Sequence, residues 1–326
     1  MNEPIISVEK LTKNFKSKVK EPGMKGALKA LFNPKYKNVN AVNNISFNVA
    51  AGELVAFIGL NGAGKSTTLK MLSGILYQDS GNIRILGMNP KNDRQKLAYN
   101  IGTVFGQKPQ LWFHLPAIDS FNLFAKIYEL DDAEYKKRLD MLIKRFDITD
   151  FVNQPVRKLS LGQRMRCEIV LSLLHKPKIV FLDEPTIGLD IVAKRNIREL
   201  IKEINDKEGV TVLLTSHDIG DIEKICKKVI VINKGIIIYD GELKNLKKRY
   251  VTRKTIKVLS EDPIKIPKKP GLKIIKKGVY GAKIEINTKK VSIKSVMENL
   301  MENNDIIDIN IEEPPIEEII EEVYKK

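Results

Sequence analysis

The stretch Leu54-Val55-Ala56-Phe57-Ile58-Gly59-Leu60-Asn61-Gly62-Ala63-Gly64-Lys65-Ser66-Thr67 sets an apolar run ahead of a glycine-rich loop and a helix-forming segment. Leu54–Gly59 reads as a buried strand, and a helix is expected from about Lys65 to Ser73. Gly59 to Ser66 satisfies G-x-x-x-x-G-K-[ST] in the strand–loop–helix context that gives this pattern its meaning. Glycines let backbone N–H groups converge on phosphate oxygens without Cβ clashes, and the helix N-terminus adds partial positive charge. Gly59, Asn61, Gly62, Ala63 and Gly64 would form the cradle, with Thr67 behind it in the first helical turn. Lys65 would reach the β- and γ-phosphates, and the Ser66 hydroxyl would ligate Mg²⁺.

Working outward, short β-rich runs alternate with helical stretches, the pattern of an α/β domain with a parallel sheet. Ile179–Asp183 and Val210–Thr215 are further buried-type strands, and Val229–Ile232 and Ile236–Tyr239 flank the turn Asn233-Lys234-Gly235. Residues from about 108 to 175 are mostly helical and too long for one crossover, so they form a helical subdomain. The strand Ile179-Val180-Phe181-Leu182 ends in Asp183 and Glu184. Acids at the carboxyl end of a buried strand point into the crevice where α/β sheets bind ligands. Asp183 is expected to hold Mg²⁺ and Glu184 to act as general base on the attacking water. A strand that merely ends in solvated acids is the bland alternative, and the phosphate loop tips the balance against it.

Composition bounds the rest. The chain has 326 residues, 56 Lys and Arg against 40 Asp and Glu, and a net charge of +16, which asks for an acidic partner. The basic residues fall in two blocks: residues 10–37 carry a net +8 and 244–294 a net +14, whereas 295–326 carry −8. Two cysteines without metal-ligand spacing, Cys167 and Cys226, argue against a zinc site or a disulfide framework. No apolar run approaches membrane-spanning length, so a soluble chain is expected. Near Arg249 a Lys-rich, Pro-dotted stretch begins, and the domain boundary is placed there. A domain over 1–248 would be followed by a small α+β domain over 249–326. The latter has strands at Thr255–Leu259, Lys283–Ile286 and Ile306–Ile311, a helix with Ile293, Val296, Met297 and Leu300 on one face, and a final helix opening at Pro315.

Leu159-Ser160-Leu161-Gly162-Gln163 precedes a helical run just upstream of the carboxylate strand. At this point the chain resembles the ATP-binding cassette family, over residues 5 to about 245 and with its motifs in the family's order. Ser160, Gly162 and Gln163 match the signature loop, Gln107 the glutamine loop after the strand Ile101–Phe105, Asp190 the dimer-contact loop, and His217 the switch histidine. His217 could instead be a helix cap. Leu161 departs from the commonest signature, which has a second glycine there. Phe15 is the candidate for stacking on adenine, and packing in the core of an edge strand is its equal alternative.

The resemblance implies a P-loop ATPase cassette, a mixed sheet with a helical subdomain, that binds ATP and Mg²⁺. Gln107 would join Ser66 and Asp183 as a metal ligand, and Gln107 and His217 would join Glu184 around the γ-phosphate. Two cassettes would pair head to tail, as a homodimer or with a sister cassette, placing Ser160, Gly162, Gln163 and Asp190 against the partner's nucleotide. The basic insert, Phe105-Gly106-Gln107 followed by Gln110-Leu111-Trp112, and the run Leu161-Gly162-Gln163-Arg164-Met165-Arg166-Cys167 resemble an exporter-type subgroup. That resemblance implies a subunit that is peripheral on the cytoplasmic face of the membrane and powers separate transmembrane permease subunits. A soluble cassette ATPase acting on nucleic acid or ribosomes is the rival. It is disfavoured because one phosphate loop is present and neither coiled-coil nor zinc insertions interrupt the cassette, so no nucleic acid is expected as partner. Trp112, Phe113, Leu115, Phe121, Phe124 and Tyr128 read as core of the helical subdomain, with Trp112 and Phe113 as contacts to a membrane subunit. The basic insert over 16–37, with a short amphipathic helix over 26–32, is expected to face the membrane subunit and an anionic membrane surface.

Overall fold

The computed structural model describes residues 3–18, 36–106, 109–216, 218–267 and 269–324. The chain divides into two units, Met1–Glu242 and Leu243–Lys326. In the first, β1 (Ile6–Lys18), β2 (Tyr36–Val49) and β4 (Ser80–Ile85) form an antiparallel sheet in the order β2-β1-β4. The second sheet of this unit holds β3 (Leu54–Ile58), β5 (Ile101–Phe105), β6 (Ile179–Asp183), β7 (Thr211–Ser216), β8 (Lys228–Asn233) and β9 (Ile236–Glu242). Their order is β5-β6-β7-β3-β8-β9, parallel throughout except for β9. Every residue of β3 is buried, as expected of a parallel strand covered on both faces. Between β8 and β9, Lys234 and Gly235 take φ of 48° and 80°, the paired positive values of a primed hairpin turn.

One apolar core joins the two sheets. Ile6, Val8, Phe47, Phe57, Phe181, Leu213 and Ile230 belong to it, and the Phe47 and Phe57 rings meet at 5.6 Å. Helix α1 (Lys65–Leu72) is buried on most of its surface, including Thr68, Leu69, Met71 and Leu72. Among the described residues, the other α-helices of this unit are α2 (Arg94–Ala98), α3 (Ala117–Ile127), α4 (Asp132–Arg145), α5 (Leu161–Leu173), α6 (Ile191–Glu208) and α7 (Ile219–Ile225). Glu208 at the end of α6 accepts a hydrogen bond at 2.7 Å from Arg138 and another from Arg145, both on α4. Burial works to raise the Glu208 carboxyl, but the two guanidiniums outweigh it and hold the group below its ordinary range.

The aromatic cluster of the helical region divides. Phe121 is fully buried, whereas Trp112 and Phe113 are each 49% exposed and Leu115 is exposed as well. The core reading therefore fails for these three, since the chain ahead of α3 leaves them on the surface. The basic insert is also shorter than expected. Lys16, Ser17 and Lys18 pair with Asn38, Lys37 and Tyr36, so the β1–β2 ladder takes up both of its ends. The helix placed over 26–32 lies outside the described residues.

In the second unit, β10 (Arg253–Ser260), β11 (Leu272–Lys277), β12 (Gly281–Asn287) and β13 (Ile306–Glu312) form an antiparallel sheet in the order β11-β12-β10-β13. One face carries Ile256, Val258, Ile284 and Ile286, packed with Val296 and Leu300 of a helix at Ile293–Asn303. This helix is α9, between α8 (Leu243–Tyr250) and α10 (Ile316–Tyr324). Helices α8 and α10 touch, burying Leu243 and Leu246 on one and Ile316, Ile319, Ile320 and Val323 on the other. The seam therefore falls between Glu242 and Leu243, six residues ahead of the composition change at Arg249. β11 was not anticipated, because half of its residues are lysines and most of the strand is exposed at the sheet edge.

Candidate functional site

Parallel register brings the carboxyl ends of several strands to one level. Ile58 of β3 pairs with Ser216 of β7, Asp183 of β6 with Thr215 of β7, and Phe105 of β5 with Asp183. The chain leaves β3 there into the loop 59–64 and enters α1 at Lys65, so phosphate loop and carboxylates share one end of the sheet. Gly64 caps α1 with φ of 110°. The Lys65 side chain is 5% exposed and donates to the Gly59 carbonyl at 2.7 Å and to that of Leu60 at 3.4 Å. Its ammonium lies 3.5 Å from Glu184 Oε1.

Ser66 Oγ donates to Asp183 Oδ1 at 2.8 Å. The two groups expected to hold a cation therefore already face each other, and two oxygens at this separation suit the hard-cation preference of Mg²⁺. Thr215 Oγ1 donates to the same Asp183 oxygen at 2.6 Å and accepts from the Glu184 amide at 3.0 Å. The Glu184 amide also reaches the Thr215 carbonyl at 3.2 Å. Glu184 takes φ of 54°, the left-handed region that a non-glycine residue rarely adopts. Thr215 is thus a hub that fixes both carboxylate residues, and it is wholly buried.

Sequence pattern marks Val210–Thr215 as a strand and gives Thr215 no role in the site. The available signal was a hydroxyl at the end of an otherwise apolar strand. Thr215→Val keeps the shape and removes both side-chain hydrogen bonds. It is expected to lower ATP turnover about tenfold, the effect of losing ~1.4 kcal/mol of positioning, with Thr215→Ser restoring most of it. Steady-state rates of the two variants check this; equal losses in both would refute it.

A separate cleft lies between α5 and α6 and is lined by Ser160, Gly162, Gln163, Arg166, Asp190 and Asn196, among others. Ser160 caps α5: its hydroxyl accepts from the Gln163 amide at 3.2 Å, and Gln163 Oε1 accepts from the Ser160 amide at 2.9 Å, a complete capping box. Asp190 caps α6, accepting from the Val192 and Ala193 amides at 2.9 Å each. Leu161 is exposed, and its side chain comes close to Gly188 on the loop leading to Asp190. The four signature-side residues are therefore held by helix ends, on a different surface feature from the phosphate loop.

Phe15 sits in β1 opposite Val39, 40% exposed, with the Lys13 ammonium 5.7 Å from its ring. That exposure removes the edge-strand core alternative. Gln107 and His217 lie outside the described residues. Their neighbours lie at the carboxyl ends of the strands: Gly106 donates its amide to the Asp183 carbonyl at 3.1 Å, and Ser216 ends β7. His175 is structural: its ring stacks on Tyr128 at 4.0 Å and lies 2.9 Å from the Ile101 carbonyl, with burial pushing its pKa down to about 4. Burial pushes the Cys167 thiol up to about 12, in keeping with a packing residue. No helix among the described residues is long and apolar enough to cross a membrane.

Comparison with known proteins gives a consistent picture. The family model described as ABC transporter matches residues 42–187. The chain is 35% identical over 215 residues to the ABC transporter ATP-binding protein NatA of Bacillus subtilis, covering 66% of this chain and 87% of that protein. It is 34% identical to the linearmycin resistance ATP-binding protein LnrL of the same organism, over 63% of this chain and 66% of that one. Among solved structures, the dimeric post-hydrolysis state of the ATP-binding cassette MJ0796, bound to ADP and phosphate, superposes with a TM-score of 0.61 at 25% identity. It covers 73% of this chain and 98% of that one.

Proposed function

The chain belongs to the family of ABC transporter ATP-binding proteins, and from that membership we propose how its residues act as the ATPase that drives separate transmembrane subunits, in the direction of export. The reading rests above all on the convergence of Lys65, Ser66, Asp183 and Glu184 at one end of the sheet, with Ser160 and Gln163 capping a helix at a different cleft. One chain thus carries both halves of an ATP site at two places, and a second cassette completes each.

The backbone amides of the loop 59–64 and the N-terminus of α1 bind the phosphates of ATP. Lys65 exchanges its bonds to the Gly59 and Leu60 carbonyls for phosphate oxygens. Ser66 and Asp183, with Gln107, would hold Mg²⁺, which when bound neutralises charge on the phosphate oxygens. Glu184 takes a proton from the attacking water, in an orientation fixed by the two bonds from its amide to Thr215. His217 lies on the γ-phosphate side. Ser160, Gly162 and Gln163 of the opposing copy close the site, with Asp190 beside them. Phe15 is an exposed aromatic available to the adenine.

Export is supported by the subgroup resemblance around Leu161-Gly162-Gln163-Arg164-Met165-Arg166-Cys167 and by the resistance function in the name of LnrL. Trp112, Phe113 and Leu115 offer an exposed apolar surface to a membrane subunit. The basic segment up to Lys37 faces anionic headgroups, each cation contributing about 1 kcal/mol near the surface. The Leu243–Lys326 unit is an accessory domain.

The test is purification of the full chain from its native membrane in mild detergent. A co-purifying polytopic protein, ATP-dependent dimerisation and weaker membrane recovery after deletion of residues 18–36 are the expected results. Sedimentation that depends on RNA, with no membrane protein attached, would sink the reading.

A further inference from the structure

Glu168 lies in the middle of α5, two turns beyond Ser160, and is 5% exposed. A carboxylate in such a place is costly unless its oxygens are satisfied. Here its two oxygens accept from the Gln110 amide at 3.1 and 3.2 Å, and one of them also accepts from the Leu111 amide at 3.3 Å. Burial raises the Glu168 carboxyl and the Gln110 and Leu111 amides oppose that rise. Leu111 is itself buried, so its amide has no water to turn to.

The same short segment is tied to the sheet on its other side. The Gln110 side chain donates to the Thr103 carbonyl in β5 at 2.5 Å. Three residues further on, just past the end of β5, the Gly106 amide donates to the Asp183 carbonyl at 3.1 Å. Hydrogen bonds joined by short stretches of backbone therefore lead from the carboxylate-bearing end of β6, through β5 and Gln110, to Glu168 and the helix that Ser160 caps. An apolar residue would fill the Glu168 position at less cost, but it would leave the Gln110 and Leu111 amides unpaired and the segment free of α5.

We propose that Glu168 is a positioning residue for hydrolysis, tying the chain after β5 to the signature helix so that the Asp183 strand end and Ser160 shift as one body. The inference rests on the reading that Ser160 serves the ATP held by the opposing copy. Under that reading each chain touches one nucleotide with Asp183 and the other with Ser160. A stiff link within the chain then couples the two sites, and the coupling acts equally in both directions.

The experiment uses the full-length dimer and measures kcat, KM and Hill coefficient for ATP, with titration of a fluorescent ADP as a control on the phosphate loop. Glu168→Met keeps side-chain length and removes the acceptors; Glu168→Gln keeps an acceptor oxygen. Loss of two buried hydrogen bonds is expected to lower kcat about tenfold or more in Glu168→Met. The Hill coefficient should fall from about 2 toward 1 while ADP affinity stays within about twofold. Glu168→Gln should keep at least about half of the wild-type kcat, because its carbonyl oxygen still accepts.

Gln110→Ala breaks the other tie at a half-buried position and should shift kcat and Hill coefficient in the same direction, whether or not Glu168→Met folds. Wild-type values in Gln110→Ala, or in Glu168→Met, overturn the proposal. So does a parallel loss of ADP affinity, which would mark a purely structural role. A wild-type chain without ATP-dependent dimerisation would overturn the parent reading and this one together. A cooperative wild type with unchanged variants overturns this one alone.

Discussion

Glu184→Gln is expected to bind ATP normally, hydrolyse it at least about a hundredfold more slowly, and accumulate as an ATP-dependent dimer. The substitution changes one carboxylate oxygen to an amide nitrogen at nearly constant volume, so the bonds from its backbone amide to Thr215 remain. The loss is the capacity to accept a proton, and general-base catalysis is worth roughly 10²–10⁴ in rate. The positive φ of Glu184 adds to the argument. A side chain held on a strained backbone by a buried partner is being aimed, and glutamine inherits the aim without the function. Steady-state ATPase rates and size-exclusion chromatography with and without ATP measure both halves of the expectation. Wild-type turnover would remove Glu184 from the mechanism.

Gly64→Ala should weaken nucleotide binding at least about a hundredfold, whereas Gly62→Ala should weaken it far less. Both glycines have positive φ, 110° and 79°, so backbone conformation alone would treat them alike. Their surroundings differ. A Cβ on Gly64 would lie 2.4 Å from the Ala41 carbonyl oxygen, whereas one on Gly62 would meet nothing within 4 Å. Ala41 lies in β2 at a register shift, flanked by Asn40 and Val42, which both pair with β1, so its carbonyl has little room to retreat and the loop must move. Strain of about 3 kcal/mol or more carries Gly64→Ala to at least ~100-fold weaker ATP binding, against about 1 kcal/mol for an L-residue at the open Gly62 position. Titration with a fluorescent ATP analogue separates the two. Equal losses would show that the β2 contact is irrelevant.

What could be read from the chain alone follows the range of the interactions concerned. The phosphate loop is legible because its strand, glycines and lysine are consecutive, and Asp183 and Glu184 because an apolar strand announces where its acids will sit. Thr215 was not legible as a hub: its role depends on the register of β6 against β7, which pairs residues 32 positions apart. Glu168 is a related case. A single acid in the run Cys167-Glu168-Ile169-Val170-Leu171 is a visible anomaly, but its partners at Gln110 and Leu111 come from the far side of the helical region. Hydrophobicity assigns Trp112, Phe113 and Leu115 to a core because it reports a tendency to be covered without saying by what; only the family resemblance offers Trp112 and Phe113 a membrane subunit instead. β11 escapes because an edge strand of three lysines and two adjacent exposed isoleucines has no alternation to read.

The seam between Glu242 and Leu243 bears on how this protein is cut and combined. Composition suggests parting the chain at Arg249, inside α8. A fragment ending there would carry most of that helix away from α10, with Leu243 and Leu246 turned from packing residues into a wet apolar stripe. The tail left behind would lose the cover over Ile319 and Ile320. A joint placed before Leu243 moves both helices together, so the last 84 residues can be inherited, exchanged or grafted as a whole module.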